Sequence, residues 1–216
     1  MIFAIDCVKS LHRCAIFRNK STNFLIFHHT LKGDDMTIVI NLCAGPGVGK
    51  STCAAYLYYL FKKDGKSTEL VRECVKDWLY EGKSVGSFDQ LYFLGEGIRR
   101  ETVLYGKVDY VISDSPVLLN LAYARKYCSA NVVNSVETMI EAFYGQARDE
   151  GHHHVNVLLS RVHDYVEKDR YESKEQALEI DENLVSILDQ NYHLVCPDEL
   201  GINSFYKFIC ACENVC

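Results

Sequence analysis

An apolar run, Ile38-Val39-Ile40-Asn41-Leu42-Cys43, gives way to Ala44-Gly45-Pro46-Gly47-Val48-Gly49-Lys50-Ser51, and helix-forming residues resume from Thr52 to Leu60. No other stretch constrains the fold as much. A strand, a glycine-rich turn and a helix with Gly-Lys-Ser at their junction make a Walker A phosphate loop. The glycines let successive backbone N–H groups converge on one concavity with no Cβ in the way. The helix adds unpaired N–H groups and the positive end of its dipole. On this reading Gly45, Pro46, Gly47, Val48, Gly49, Lys50, Ser51 and Thr52 cradle a nucleotide triphosphate. Lys50 neutralises the β- and γ-phosphates, and the Ser51 hydroxyl ligates Mg²⁺. One position departs from the stricter pattern: Ala44 stands where glycine is usual.

The chain has 216 residues, ample for one α/β domain and short for two. Its net charge of −6 argues against a protein that works by coating nucleic acid. No apolar run approaches the length of a bilayer span, so no membrane partner is expected. The ten cysteines are scattered with no C-x-x-C pair. With a nucleotide site, that usage points to reduced thiols and a cytoplasmic protein. Residues 1–35 fit the rest poorly and are expected to form an N-terminal extension dispensable for chemistry. Residues 36–216 are expected to form the nucleotide-binding domain.

From Thr37 the pattern alternates regularly. Short strands are expected at the run ending in Cys43, at Glu69–Val71, Val108–Ser113, Val155–Leu159 and Tyr192–Cys196. Helices are expected after the phosphate loop, over Val75–Tyr80, from Asp89 to Leu104, over Leu118–Tyr127, Val136–Ala147 and after Ser173, and over Ile202–Ile209. Ser173-x-x-Gln176 reads as a capping box before an apolar stripe of Ala177, Ile180, Leu184, Ile187 and Leu188. Alternating strands and helices imply right-handed β-α-β units and an α/β fold: a mostly parallel five-stranded sheet with helices on both faces, a three-layer sandwich. Ligands of such sheets bind beyond the carboxyl ends of the strands. Gly49, Glu73, Asp114 and Arg161 all fall there.

Asp114 ends an apolar strand in the manner of a Walker B aspartate and is a candidate Mg²⁺ organiser, with Ser51, or a proton acceptor. The same residue suits a helix N-cap before Ser115-Pro116. Glu73 is a candidate base for an acceptor hydroxyl, or a charge paired with Arg72 or Lys76. Arg161, His163, Lys168 and Arg170 crowd the segment after the fourth strand. They read as a lid, with Arg161 and Arg170 the candidate contacts to a transferring phosphoryl group. One of Arg99 and Arg100 is a candidate to face the site, or both make surface ion pairs. Trp78, Asp89, Gln90 and Tyr92 are candidates for an acceptor pocket or for core packing. His152-His153-His154 reads as a solvated loop, because consecutive histidines cannot all face one metal ion.

Taken together, these residues resemble a known family. The matching text is Ile40-Asn41-Leu42 with Gly45 to Thr52, Glu69-Leu70-Val71-x-Glu73 and Asp89-Gln90-Leu91-Tyr92. It continues with Gly106-Lys107-Val108-Asp109-Tyr110-Val111-Ile112-Ser113-Asp114-Ser115-Pro116, then Arg161-Val162-x-x-Tyr165, Arg170 and Glu175-Gln176-Ala177-x-x-Ile180-Asp181. From Met36 to the last helix the chain resembles bacteriophage P-loop ATPases and kinases grouped with the ribosylnicotinamide-kinase domain of NadR, an AAA-like family. The resemblance implies a P-loop NTPase fold like that of nucleoside and nucleotide kinases, with ATP and Mg²⁺ as ligands. It puts Lys50 and Ser51 in the phosphate and metal roles and Arg161 and Arg170 in the lid. The expected activity is ATP- and Mg²⁺-dependent phosphotransfer to a small molecule: a nucleoside, a nucleotide or a ribosylnicotinamide-like acceptor. Two other activities fit the same loop, a nucleotide-dependent ATPase switch that binds a protein partner and a polynucleotide 5′-hydroxyl kinase.

Overall fold

The computed structural model of the chain describes residues 35–162, 164–165, 171–189 and 191–213. The extension expected over residues 1–35 therefore lies outside the described residues, Asp35 excepted. The strands are β1 (Ile38–Cys43), β2 (Thr68–Val71), β3 (Tyr110–Ser113), β4 (His153–Leu159) and β5 (His193–Val195). The helices are α1 (Lys50–Lys63), α2 (Val75–Tyr80), α3 (Asp89–Thr102), α4 (Leu118–Tyr127), α5 (Ala130–Asp149), α6 (Lys174–Leu188) and α7 (Glu199–Glu213). All strand pairs are parallel, in the order β2-β3-β1-β4-β5. This is the five-stranded α/β sandwich expected from the alternating pattern.

Strand β1 is buried along its whole length, as a strand covered on both faces must be. Ile38, Ile40 and Leu42 point to one face and pack with Leu57 and Phe61 of α1 and Ile202, Phe205 and Ile209 of α7. Val39 points to the other face, beside Val71 and Val111. A second core on that side joins Leu94 of α3, Leu121 and Ala124 of α4 and Val136, Ile140 and Phe143 of α5. The winding reverses about β1, since β3 lies on one side of it and β4 on the other. A crevice opens at such a reversal, beyond the carboxyl ends of the strands.

The capping box at α6 is present: Ser173 accepts from the Gln176 N–H, and the Gln176 side chain accepts from the Ser173 N–H. Helix α5 begins earlier than its apolar periodicity suggests, because Ser129 is extended and Val132 is already buried against the α3–α4–α5 core. The histidine run is the clearest correction. His153 and His154 belong to β4, paired with Ile38 and Val39 of β1, instead of forming a solvated loop. His154 Nε2 lies 2.6 Å from Glu101 Oε1, which also accepts a 2.7 Å bond from the Tyr105 hydroxyl. His152 Nδ1 accepts from the Thr37 N–H at 3.2 Å. Paired polar groups survive burial that would cost about 1–3 kcal/mol each if unpaired, and no single-residue pattern announces the pairing. Among the described residues, no helix is long and apolar enough to cross a membrane.

Candidate nucleotide and acceptor site

Because every strand runs the same way, the segments after β1, β2, β3 and β4 meet at one edge of the sheet. After β1 the chain turns through Gly47 at φ 78° and Gly49 at φ 102°, both in the left-handed region open to glycine. Gly49 is the N-cap of α1 and offers no side chain to its N–H groups, which stay available to an anion. Ala44 has no such requirement. It is buried in the α1–α7 core, and Asp189 is the only non-glycine residue with positive φ among the described residues. A methyl group therefore fits where the stricter pattern has glycine.

Two glycines of the loop are set by contact. A Cβ on Gly45 would come within 2.4 Å of Asp181 Oδ1 and 2.9 Å of the Ala177 carbonyl, and one on Gly47 within 2.7 Å of the Tyr165 ring. The segment after β4 and helix α6 thus lie directly on the loop.

Lys50 folds back over the loop, donating from Nζ to the Ala44 carbonyl at 2.7 Å and the Gly45 carbonyl at 3.0 Å. Burial pushes its ammonium below the usual lysine range, while Glu73, Asp114 and Asp181 pull it back up and Lys76 pushes it down. Phosphate oxygens would add to the upward pull, which fixes the sign of a pH effect. Nucleotide affinity should be full below the free-protein pKa of Lys50 and fall as pH rises through it. Binding on that alkaline side should take up a proton, measurable by calorimetry in two buffers of different ionisation enthalpy. Affinity independent of pH up to the ordinary lysine range would contradict this.

Asp114 is buried, and its Oδ1 accepts the Glu73 N–H at 2.8 Å. It does not cap α4, whose N-cap is Val117 with no side-chain bond. The carboxylate instead ties the end of β3 to the end of β2. Glu73 in turn lies 3.5 Å from Lys76. The Lys76 ammonium also reaches Ser51 Oγ, at 2.5 Å. A cation thus already sits among the Ser51 hydroxyl and the Glu73 carboxylate, hard oxygens of the kind Mg²⁺ selects. Among the described residues, no cluster of three or more His, Cys, Asp or Glu could hold a metal unaided. Mg²⁺ at a phosphate loop does not need one, because it completes its shell with water and phosphate.

Beside Lys50 and Glu73 opens a cavity of about 500 Å³. Its lining also includes Gln90 from the start of α3, Asn120, Tyr123 and Tyr127 from α4, and Tyr171. Burial raises the Tyr123 phenol well above its usual pKa, with Glu172 and Glu73 adding to the rise. Of the residues expected around an acceptor, Gln90 lines this cavity. Trp78 and Tyr92 stack on each other at 5.7 Å, and Asp89 accepts the Gly86 N–H. Tyr123, Tyr127 and Tyr171 were not singled out by the sequence. The spacing of Leu119, Asn120, Tyr123 and Tyr127 on one helix stripe was the available signal, and it is indistinguishable from core packing.

Arg161, at the end of β4, donates from Nε to Asp181 Oδ2 at 2.7 Å and from Nη2 to the Pro46 carbonyl at 2.9 Å. Its guanidinium lies 5.7 Å from the Tyr165 ring centre. Arg170, His163 and Lys168 lie outside the described residues. Arg100 pairs with Glu96 at 2.8 Å and reaches the Arg72 carbonyl at 3.3 Å, so it braces α3 against the end of β2.

Two solved structures of the NadR protein share this fold. The complex with NAD and AMP-PNP is 13% identical with a TM-score of 0.59, covering 80% of this chain and 49% of that one. The complex with NR is 14% identical with a TM-score of 0.61, covering 80% of this chain and 51% of that one. The chain thus spans about half the length of these relatives. No curated protein matches the sequence. The family model of an AAA domain matches residues 39–201.

Proposed function

Since the chain belongs to this AAA-domain family and is a P-loop kinase or ATPase, we propose that it transfers the γ-phosphoryl group of ATP to a hydroxyl of a small molecule held in the cavity beside Lys50. The observation that carries this reading is the cavity itself, which is lined both by Pro46 and Lys50 of the phosphate loop and by side chains of α3 and α4. A chamber that opens onto the loop suits an acceptor for in-line transfer, whereas hydrolysis needs only water. The enzyme would work in the cytoplasm, where ATP and reduced thiols coexist.

In this proposal the Gly45–Thr52 backbone and Lys50 hold the triphosphate. Ser51 and Asp114 hold Mg²⁺, which supplies charge neutralisation at the phosphate oxygens. Glu73 lines the cavity, while the Asp114 carboxylate is turned onto the Glu73 N–H. That division favours Glu73 as the acceptor of the hydroxyl proton. Arg161, with Arg170, stabilises the charge on the group in transit.

The cavity also favours some acceptors over others. Among its described lining residues the cations are Lys50 and Lys76, both at the phosphate-loop end, and no arginine is present. Glu172 adds a negative charge at the wall, beside the tyrosines. The Glu172 charge and the tyrosines suit a flat-ringed nucleoside or ribosylnicotinamide-like compound.

Radiolabelled γ-phosphate offered with nucleosides, nucleotides, pyridine ribosides and oligonucleotide ends should label an unphosphorylated glycoside. Release of inorganic phosphate alone with every acceptor would replace this reading with that of an ATPase switch. Labelling of oligonucleotide ends alone would make the protein a polynucleotide kinase.

A further inference from the structure

We infer that Asp181, on α6, is a positioning residue: it fixes Arg161 against the phosphate loop so that the Arg161 Nη1 group meets the γ-phosphate end of the nucleotide. The inference rests on the phosphate-loop reading above and adds to it a residue 136 positions away from the loop in sequence.

The two carboxylate oxygens of Asp181 are divided between two donors. Oδ1 accepts the Gly45 N–H at 2.7 Å, and Oδ2 accepts Arg161 Nε–H at 2.7 Å. Arg161 closes the ring by donating from Nη2 to the Pro46 carbonyl at 2.9 Å. Loop, β4 end and α6 are thereby joined by three short bonds, all charge-assisted, the Arg161–Asp181 bond at both partners and the other two at one. The pair is shielded, with 16% of the Arg161 side chain and 25% of the Asp181 side chain exposed. It is not a solvated surface ion pair of the kind that contributes little.

The geometry also leaves one donor over. Arg161 Nη1 is buried and has no hydrogen-bond partner. It lies on the loop side of the guanidinium, 3.6 Å from where a Cβ on Gly47 would be. A buried N–H without an acceptor is disfavoured unless a ligand supplies one. The phosphate loop is where an anion arrives.

Asp181 itself is held firmly. The capping box fixes the start of α6, and its neighbours Ala177, Ile180 and Leu184 are fully buried. Ile180 and Leu184 pack on Leu119 and Ala122 of α4, the helix that lines the cavity. Gly45 is required by the same contact, because a side chain there would collide with Asp181 Oδ1.

Calorimetric binding of ADP and of β,γ-imido-ATP, each with Mg²⁺, to the full chain tests the inference. The Asp181→Asn protein should lose about tenfold in affinity for the triphosphate analogue, the effect of one charge-assisted hydrogen bond, with ADP affinity unchanged. Arg161→Lys, which keeps the charge and loses the fork, should show the same selective loss and guards against misfolding of the first variant. Asp181→Asn combined with Arg161→Ala should bind the analogue no more weakly than Arg161→Ala alone. Equal losses for both nucleotides, no loss, or additive losses in the double variant would each overturn the positioning role while leaving the phosphate loop intact. A parent protein that bound neither nucleotide would overturn the phosphate-loop reading and this inference with it.

Discussion

Lys50→Ala is expected to lower ATP-dependent phosphoryl transfer by about a thousandfold or more, the scale on which a positioned charge acts at a developing phosphoryl or oxyanion centre. The same change should leave the unfolding midpoint within a few degrees of the parent. Two opposed contributions set that second expectation. Truncation removes the bonds from Nζ to the Ala44 and Gly45 carbonyls. It also removes a partly buried ammonium, whose desolvation opposes folding and holds its pKa down. With the folded-state pKa below the unfolded one, the charged lysine is a burden on stability that lifts only as pH rises through that folded value. Activity and stability should therefore separate: a cold enzyme in a sound fold. Thermal denaturation and labelled-ATP turnover, run side by side, check both. A folded Lys50→Ala protein that bound and consumed ATP as the parent does would remove the phosphate loop from the mechanism.

Asp114→Asn should slow phosphoryl transfer by about a hundredfold or more, and should slow acceptor-free ATP hydrolysis by a comparable factor. The amide keeps the shape and can still accept the Glu73 N–H through its oxygen, a bond of 2.8 Å in the parent. What it loses is the carboxylate charge that acts on Lys50 and that, in the proposal above, helps to hold Mg²⁺. A higher Mg²⁺ requirement should accompany the loss. Glu73→Gln provides the contrast. If Glu73 takes the proton from an acceptor hydroxyl, its amide variant should lose transfer by about a hundredfold or more while retaining hydrolysis. Equal effects of the two substitutions on both reactions would mean that the two carboxylates act as one unit, joined through the Glu73 N–H, and that the separate roles assigned here are wrong.

How much of this was legible before folding depends on distance along the chain. The phosphate loop is eight consecutive residues flanked by a strand and a helix, so local sequence states it completely. Glu73, Asp114 and Arg161 are far apart in sequence, yet the rule that parallel strands end at one edge gathers them without any knowledge of contacts. The His154–Glu101–Tyr105 cluster and the Lys76–Ser51 contact were not legible. Each depends on a partner whose identity only the packed sheet and helices supply. Ala44 shows the reverse case, where a departure from the usual loop pattern is explained by burial of its methyl group in the core.

The sequence alone thus determined the class of fold and the chemistry of one end of the site. Hydrophobic periodicity and turn residues act over a few positions, and a phosphate cradle is built from neighbouring backbone amides. Only the tertiary structure decided the other end: the tyrosine-lined chamber, the turn of Asp114 onto a backbone N–H, and the Asp181–Arg161 strap across the loop. Those depend on how helices from distant parts of the chain settle on the sheet. Side-chain contacts over such separations are set by the packing of the whole domain, not by any pattern within one segment.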